Sequence, residues 1–139
     1  MLRLVVLAFI AGFLAVLCFH QPVVGLLHAY GAIPFAPFSI QPVPPLGVPG
    51  WFSASFWGGV WGIAMLGLFT WRDITHGLWW KAGIFGGVAL TLVALLVVFP
   101  LKGMGLNLAA LPMRFVGGFV INGAWGLGAM VFARVFGVR

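Results

Sequence analysis

An all-α integral membrane protein is the fold class this sequence predicts: four transmembrane helices with a long, apolar, proline-rich loop between the first and second. Three observations predict it. Hydrophobic residues make up 63% of the chain and charged residues only 6%, with a mean hydropathy of +1.20; soluble domains carry about 25% charged residues, so a soluble fold would have no surface to show water. At 139 residues there is room for one domain, and spans of about 20 residues with short connections divide it into four helices. Of the 9 prolines, all but Pro100 and Pro112 fall between His20 and Gly50, a stretch without Asp, Glu, Lys or Arg.

The first span is expected over residues 4–19, about 24 Å of helix, with Pro22 marking a stop or kink. Arg3 ahead of a long apolar run imitates a secretory signal, but no small-x-small cleavage site follows and Leu17 before Cys18 spoils a lipoprotein site, so the segment is expected to be retained. Cys18 is the single cysteine and reports no redox compartment. Pro22 to Tyr30 reads as a separate two-turn helix, with proline in its first turn and Gly31 as its stop. From Pro34 to Pro49 the prolines exclude helix and central strand, leaving extended and turn backbone. Residues 20–50 are therefore expected to form an extramembrane lid, folded onto the membrane surface or wedged between helices.

The second span, residues 51–71, begins and ends on tryptophan, and that separation of about 30 Å matches a hydrocarbon core with an aromatic at each interface. Ser55, Gly58, Gly59 and Gly62 give it a small-residue face that lets another helix come close. The connection from Arg72 to Lys81 holds Asp73, the only acidic residue, with Arg72 and Lys81 in local reach as ion-pair partners. The third span, residues 82–99, carries Gly83, Gly86 and Gly87 and ends at Pro100. The fourth, residues 112–132, places Gly118, Asn122 and Gly126 on one narrow face that should be buried.

Basic residues fall unequally on the two sides of this topology. Arg3, Arg72, Lys81, Arg134 and Arg139 lie on one, Lys102 and Arg114 on the other, which puts both termini in the cytoplasm. Scattered at span ends, they form no patch for nucleic acid and serve as topology signals and contacts to anionic lipid. Phe56-Trp57-Gly58-Gly59 is echoed by Phe115-Val116-Gly117-Gly118, and Trp61-Gly62 by Trp125-Gly126. Such echoes fit a duplicated two-helix unit related by an axis along the membrane normal.

The candidate contact residues are His20, His28, Arg114 and Asn122. Imidazoles serve metals and haem, but these two lie in one short stretch separated by a proline, with no carboxylate or cysteine beside them to complete a zinc site; the simpler expectation is interfacial histidines bonded to loop carbonyls. His76 sits on the opposite side. No acidic residue lies within a span, which excludes carriers that depend on an intramembrane carboxylate, and one cysteine excludes a dithiol oxidoreductase. Arg114 has no acidic residue on its side, so its partner is water, a lipid phosphate, an anion or another protein's carboxylate. Asn122, near mid-span, needs a hydrogen bond to a neighbouring helix.

The runs Phe19-His20-Gln21, Leu26-Leu27-His28, Pro42-Val43-Pro44-Pro45-Leu46-Gly47 and Phe56-Trp57-Gly58-Gly59 together resemble a group of small, uncharacterised four-span proteins of the bacterial inner membrane. That resemblance implies a location and no activity. With no acid, base or nucleophile cluster, no cofactor and no metal expected, the sequence points to a non-enzymatic accessory subunit that packs against other membrane protein subunits and lipid. The alternative is a small transporter or lipid- or anion-binding protein, with an outward cavity under the lid lined by His20, His28, Arg114 and Asn122.

Overall fold

The computed structural model describes residues 1–138; Arg139, counted above among the basic residues of one side, lies outside them. The chain is 72% helical, and among the described residues four helices are long and apolar enough to cross a membrane: α1 (Leu2–Ala29), α2 (Gly50–Trp71), α3 (Leu78–Leu101) and α4 (Leu111–Val135). Helix α1 packs on α2 and α4, and α4 packs in turn on α3, so α1 and α4 form the centre of the bundle.

Helix α1 does not stop near Phe19 as expected but runs through Pro22 to Ala29. A proline inside an α-helix clashes with the carbonyl one turn back. Here the turn ahead of it, Val16–His20, is π-helical, and the Gln21 N–H donates to the Val16 carbonyl five residues back, which gives the backbone the slack to pass the ring. The same device recurs in α3, where Ala94–Val98 is π-helical and the Phe99 N–H reaches back to the Ala94 carbonyl just before Pro100. The expected separate helix at Pro22 to Tyr30 is thus the last part of α1.

Two seams of small residues hold the helices in pairs. On the α1–α2 seam, a Cβ added at Gly12 would run into the Gly58 carbonyl oxygen, with the Gly58 carbonyl carbon at 2.9 Å and Gly62 Cα at 3.0 Å; one at Gly62 would meet the Ala8 carbonyl. On the α3–α4 seam, a Cβ at Gly86 would run into the Asn122 carbonyl, with Gly126 Cα at 3.2 Å, and one at Gly126 would meet the Ala82 carbonyl. Residue for residue, Ala8, Gly12, Gly58 and Gly62 play the parts of Ala82, Gly86, Asn122 and Gly126. The two hairpins share one packing pattern, in the register of the Trp61-Gly62 and Trp125-Gly126 echo. The other echo falls out of this register: Gly117 has nothing within 4 Å.

The two tryptophans of that echo explain why one cross-seam is tight and the other loose. Trp125 is fully buried, and its indole Nε1 donates to the Gly12 carbonyl at 3.0 Å. Ala11, the residue before Gly12, is small enough to let it in. Trp61 meets instead Phe85, the residue before Gly86, edge-on at 6.1 Å between ring centroids. A phenyl ring stands where the other seam has a methyl group, so α2 and α3 touch through aromatic side chains. Around Trp125 the core is Ala8, Ala15, Met65, Leu66, Ala129, Met130 and Ala133, all fully buried.

Between α1 and α2, the strands β1 (Pro42–Val43) and β2 (Val48–Pro49) pair antiparallel, Pro42 opposite Pro49 and Val43 opposite Val48. Prolines cap a ladder only two residues long, in keeping with a residue that has no N–H to give. The segment is tied to α2 by the Trp51 N–H, which donates to the Ser39 carbonyl at 2.9 Å.

Candidate functional site

The four candidate residues divide between the C-terminal part of α1 and the N-terminal half of α4. His20 closes the π-helical turn, and its Nδ1 is buried without a hydrogen-bond partner. His28 lies two turns further on the same helix, about 12 Å along its axis. It is exposed and its Nδ1 sits 3.2 Å from the Ile33 carbonyl oxygen. Two imidazoles so placed do not share a ligand, and among the described residues no three His, Cys, Asp or Glu side chains come together to hold a metal ion.

Arg114 is half-buried in the first turn of α4. Asn122 lies two turns deeper, where its Nδ2 donates to Thr91 Oγ1 on α3 at 3.0 Å. Thr91 is almost fully buried, so this bond closes the α3–α4 seam between two polar groups that would otherwise be orphaned in an apolar interior. Replacing Asn122 by alanine and Thr91 by valine, singly and together, is expected to give a coupling of about 1 kcal/mol in a double-mutant cycle read by thermal unfolding in detergent. Additive effects would mean that the bond contributes nothing.

Of the glycines expected at helix contacts, Gly58, Gly59, Gly62, Gly87, Gly118 and Gly126 all sit where an added Cβ would collide with a neighbouring helix. Gly83 is looser: its Cβ would make ordinary contact with Leu127 at 3.6 Å. Three residues outside the candidate set prove as closely engaged. Gly12 is the tightest point of the α1–α2 seam, Gly86 stands against the Asn122 carbonyl on the α3–α4 seam, and Gly128 is covered by the Phe19 ring. Ala8 and Gly12 do carry a four-residue small spacing, the signal that finds such seams.

The lid is held by a residue with no local signal. Gln21 is buried, and its Oε1 accepts the Phe38 N–H at 2.7 Å, while Pro37 covers Gly25. Residues 30–49 are thereby folded back over the end of α1. Leucine at Gln21 is expected to leave the Phe38 donor unpaired, at a cost of about 1–3 kcal/mol, and to speed amide exchange in residues 30–49 while the four helices keep their protection. Unchanged exchange there would mean the bond does not hold the lid.

At the opposite end, the expected ion pairing of Asp73 is not formed. The Arg72 guanidinium lies over the Trp71 ring, 4.5 Å from its centroid. Lys81 donates to the His76 carbonyl at 2.8 Å and approaches the Trp80 ring. The neighbouring tryptophan rings and the His76 carbonyl offer these cations partners that need no ordering of the loop.

Shallow, open grooves lie on the surface of the described residues. One, of about 450 Å³, runs between Leu92, Leu95 and Leu96 of α3 and Leu111, Pro112, Phe115 and Val116 of α4. Another, of about 520 Å³, is lined by Leu2, Arg3, Val6, Leu7 and Phe136. Neither includes His20, His28, Arg114 or Asn122. No protein-family model, curated protein or solved structure matches this chain.

Proposed function

We propose that this chain is a multi-pass protein of the bacterial inner membrane, with both termini in the cytoplasm, and that it serves as a non-enzymatic accessory subunit of a larger membrane protein complex. The observation that carries this reading is the apolar surface of residues 30–49, which lie outside the four spans. Tyr30 is 86% exposed, Ile40 75% and Leu46 83%. Lipid tails cover such residues on a span; on a segment beyond the span ends, another protein is the fitting cover. The interior supports the reading too. It is filled by backbone contact at the glycine seams and by Trp125, and Asn122 and His28 already have partners within the chain.

Extraction from native membranes in mild detergent, followed by affinity capture and mass spectrometry, is expected to yield a stoichiometric membrane protein partner, lost when Leu46 and Ile40 are both changed to serine. Recovery of a monodisperse protein without any partner would overturn the proposal. A bound metabolite or anion lost with Arg114→Ala would favour the transporter reading instead.

A further inference from the structure

The groove at the junction of the chain's two ends has the layout of a phospholipid site. Among the described residues its walls are Leu2, Val6 and Leu7 from the first two turns of α1 and Phe136 just past α4, and its one charged wall is Arg3. Helix α1 begins at Leu2, so Arg3 stands at the edge of the span, where headgroups lie, and the apolar walls run inward from it. We propose that this groove binds an anionic phospholipid, one acyl chain lying against Val6, Leu7 and Phe136 and the phosphate paired with the Arg3 guanidinium. The site rests on the reading of α1 and α4 as membrane spans.

Charge selects the ligand. Arg72 is engaged with Trp71, and Lys81 with His76 and Trp80, while Asp73 is the single acidic side chain of the whole chain. Arg3 is exposed where it lines the groove, and neither its own helix nor α4 carries an Asp or Glu side chain to neutralise it. A guanidinium binds phosphate oxygens bidentately and stays charged at every accessible pH. The groove between α3 and α4 provides the contrast, since its seven lining residues are all apolar and give no reason to distinguish one headgroup from another.

Native mass spectrometry of the detergent-solubilised full chain, offered phosphatidylglycerol and phosphatidylcholine in equal amounts, reads the site directly. Phosphatidylglycerol is expected to be retained preferentially, and Arg3→Gln to reduce that preference about five-fold, the effect of one basic side chain at a membrane surface. Val6→Trp, which fills the groove, is expected to lower retention of phosphatidylglycerol with helix content unchanged by circular dichroism. Equal retention of the two lipids by the parent chain, or an undiminished preference in Arg3→Gln, would overturn the site. Release of the chain from membranes by alkaline carbonate would overturn the membrane reading itself, and so separates the two failures.

Discussion

Leucine at Gly12 is expected to abolish the folded four-helix bundle: the variant should enter detergent as a polydisperse, aggregating species where the parent chain elutes as a single peak. The reason is that the three nearest atoms a Cβ at Gly12 would meet are all backbone. The Gly58 carbonyl group and Gly62 Cα already lie within about one Cβ of the glycine, and backbone of a packed helix moves only if the whole helix moves. Ordinary overpacking costs about 1–3 kcal/mol because side chains rotate away; here they have no part in the contact, so the cost exceeds that range. Leucine at Gly86 is expected to do the same to the α3–α4 seam, since that residue meets the Asn122 carbonyl and Gly126 in the same way. Alanine at Gly117 is the control. It has nothing within 4 Å in the middle of α4, and removal of a helical glycine there is expected to stabilise by up to about 1 kcal/mol. A Gly12→Leu protein with the parent's elution and melting temperature would show that the helices do not approach at this point.

Parts of this arrangement were legible in the residues and parts were not, for reasons of physical range. Helix number follows from the length of chain needed to cross a hydrocarbon layer, a property of composition over about 20 residues, and four long apolar helices are present, the first of them running on to Ala29. The glycine faces of α2 and α4 stand out because Gly58, Gly62, Gly118 and Gly126 recur at helical spacing. Gly12 did not stand out: Ala8, Ala11 and Ala15 beside it read equally well as ordinary residues of an apolar span, and only the approach of Gly58 separates the two readings. The passage of α1 through Pro22 was hidden because the rule that stops a helix at proline assumes α-type hydrogen bonding in the preceding turn, and a π-helical turn suspends it. The grip of Gln21 on Phe38 joins residues 17 apart across a segment without periodicity, where no local pattern reports a partner. Among the candidate contacts, Asn122 was visible as a polar group in need of a bond, yet Thr91 was one of several groups on neighbouring spans able to supply it.

Trp125 carries the second large effect. It is the largest fully buried side chain and stands where α1, α2 and α4 meet, its Nε1 bonded to the Gly12 carbonyl and within 3.2 Å of a Cβ added at Gly58. Alanine at this position removes an indole from a fully buried core in which Ala8, Ala15, Ala129 and Ala133 have no side chain to swing into the space, and Met65, Leu66 and Met130 are themselves fully packed. The expected loss is therefore at the upper end of the range for such truncations, about 5 kcal/mol. Phenylalanine separates packing from hydrogen bonding. The Gly12 carbonyl already accepts the Val16 N–H within its own helix, so removal of the indole donor leaves no buried acceptor unpaired, and Trp125→Phe is expected to cost only about 1–2 kcal/mol. Trp61→Ala completes the comparison. Trp61 occupies the equivalent place in the other hairpin but is only half-buried and rests on Phe85, a side chain free to turn into the vacated space, so its truncation is expected to cost less than half as much. Thermal melts of the three variants in one detergent give the order Trp125→Ala, then Trp61→Ala and Trp125→Phe. Equal losses at Trp125→Ala and Trp61→Ala would mean that the two hairpins pack symmetrically and that Ala11 and Phe85 do not set the difference between the tight seam and the loose one.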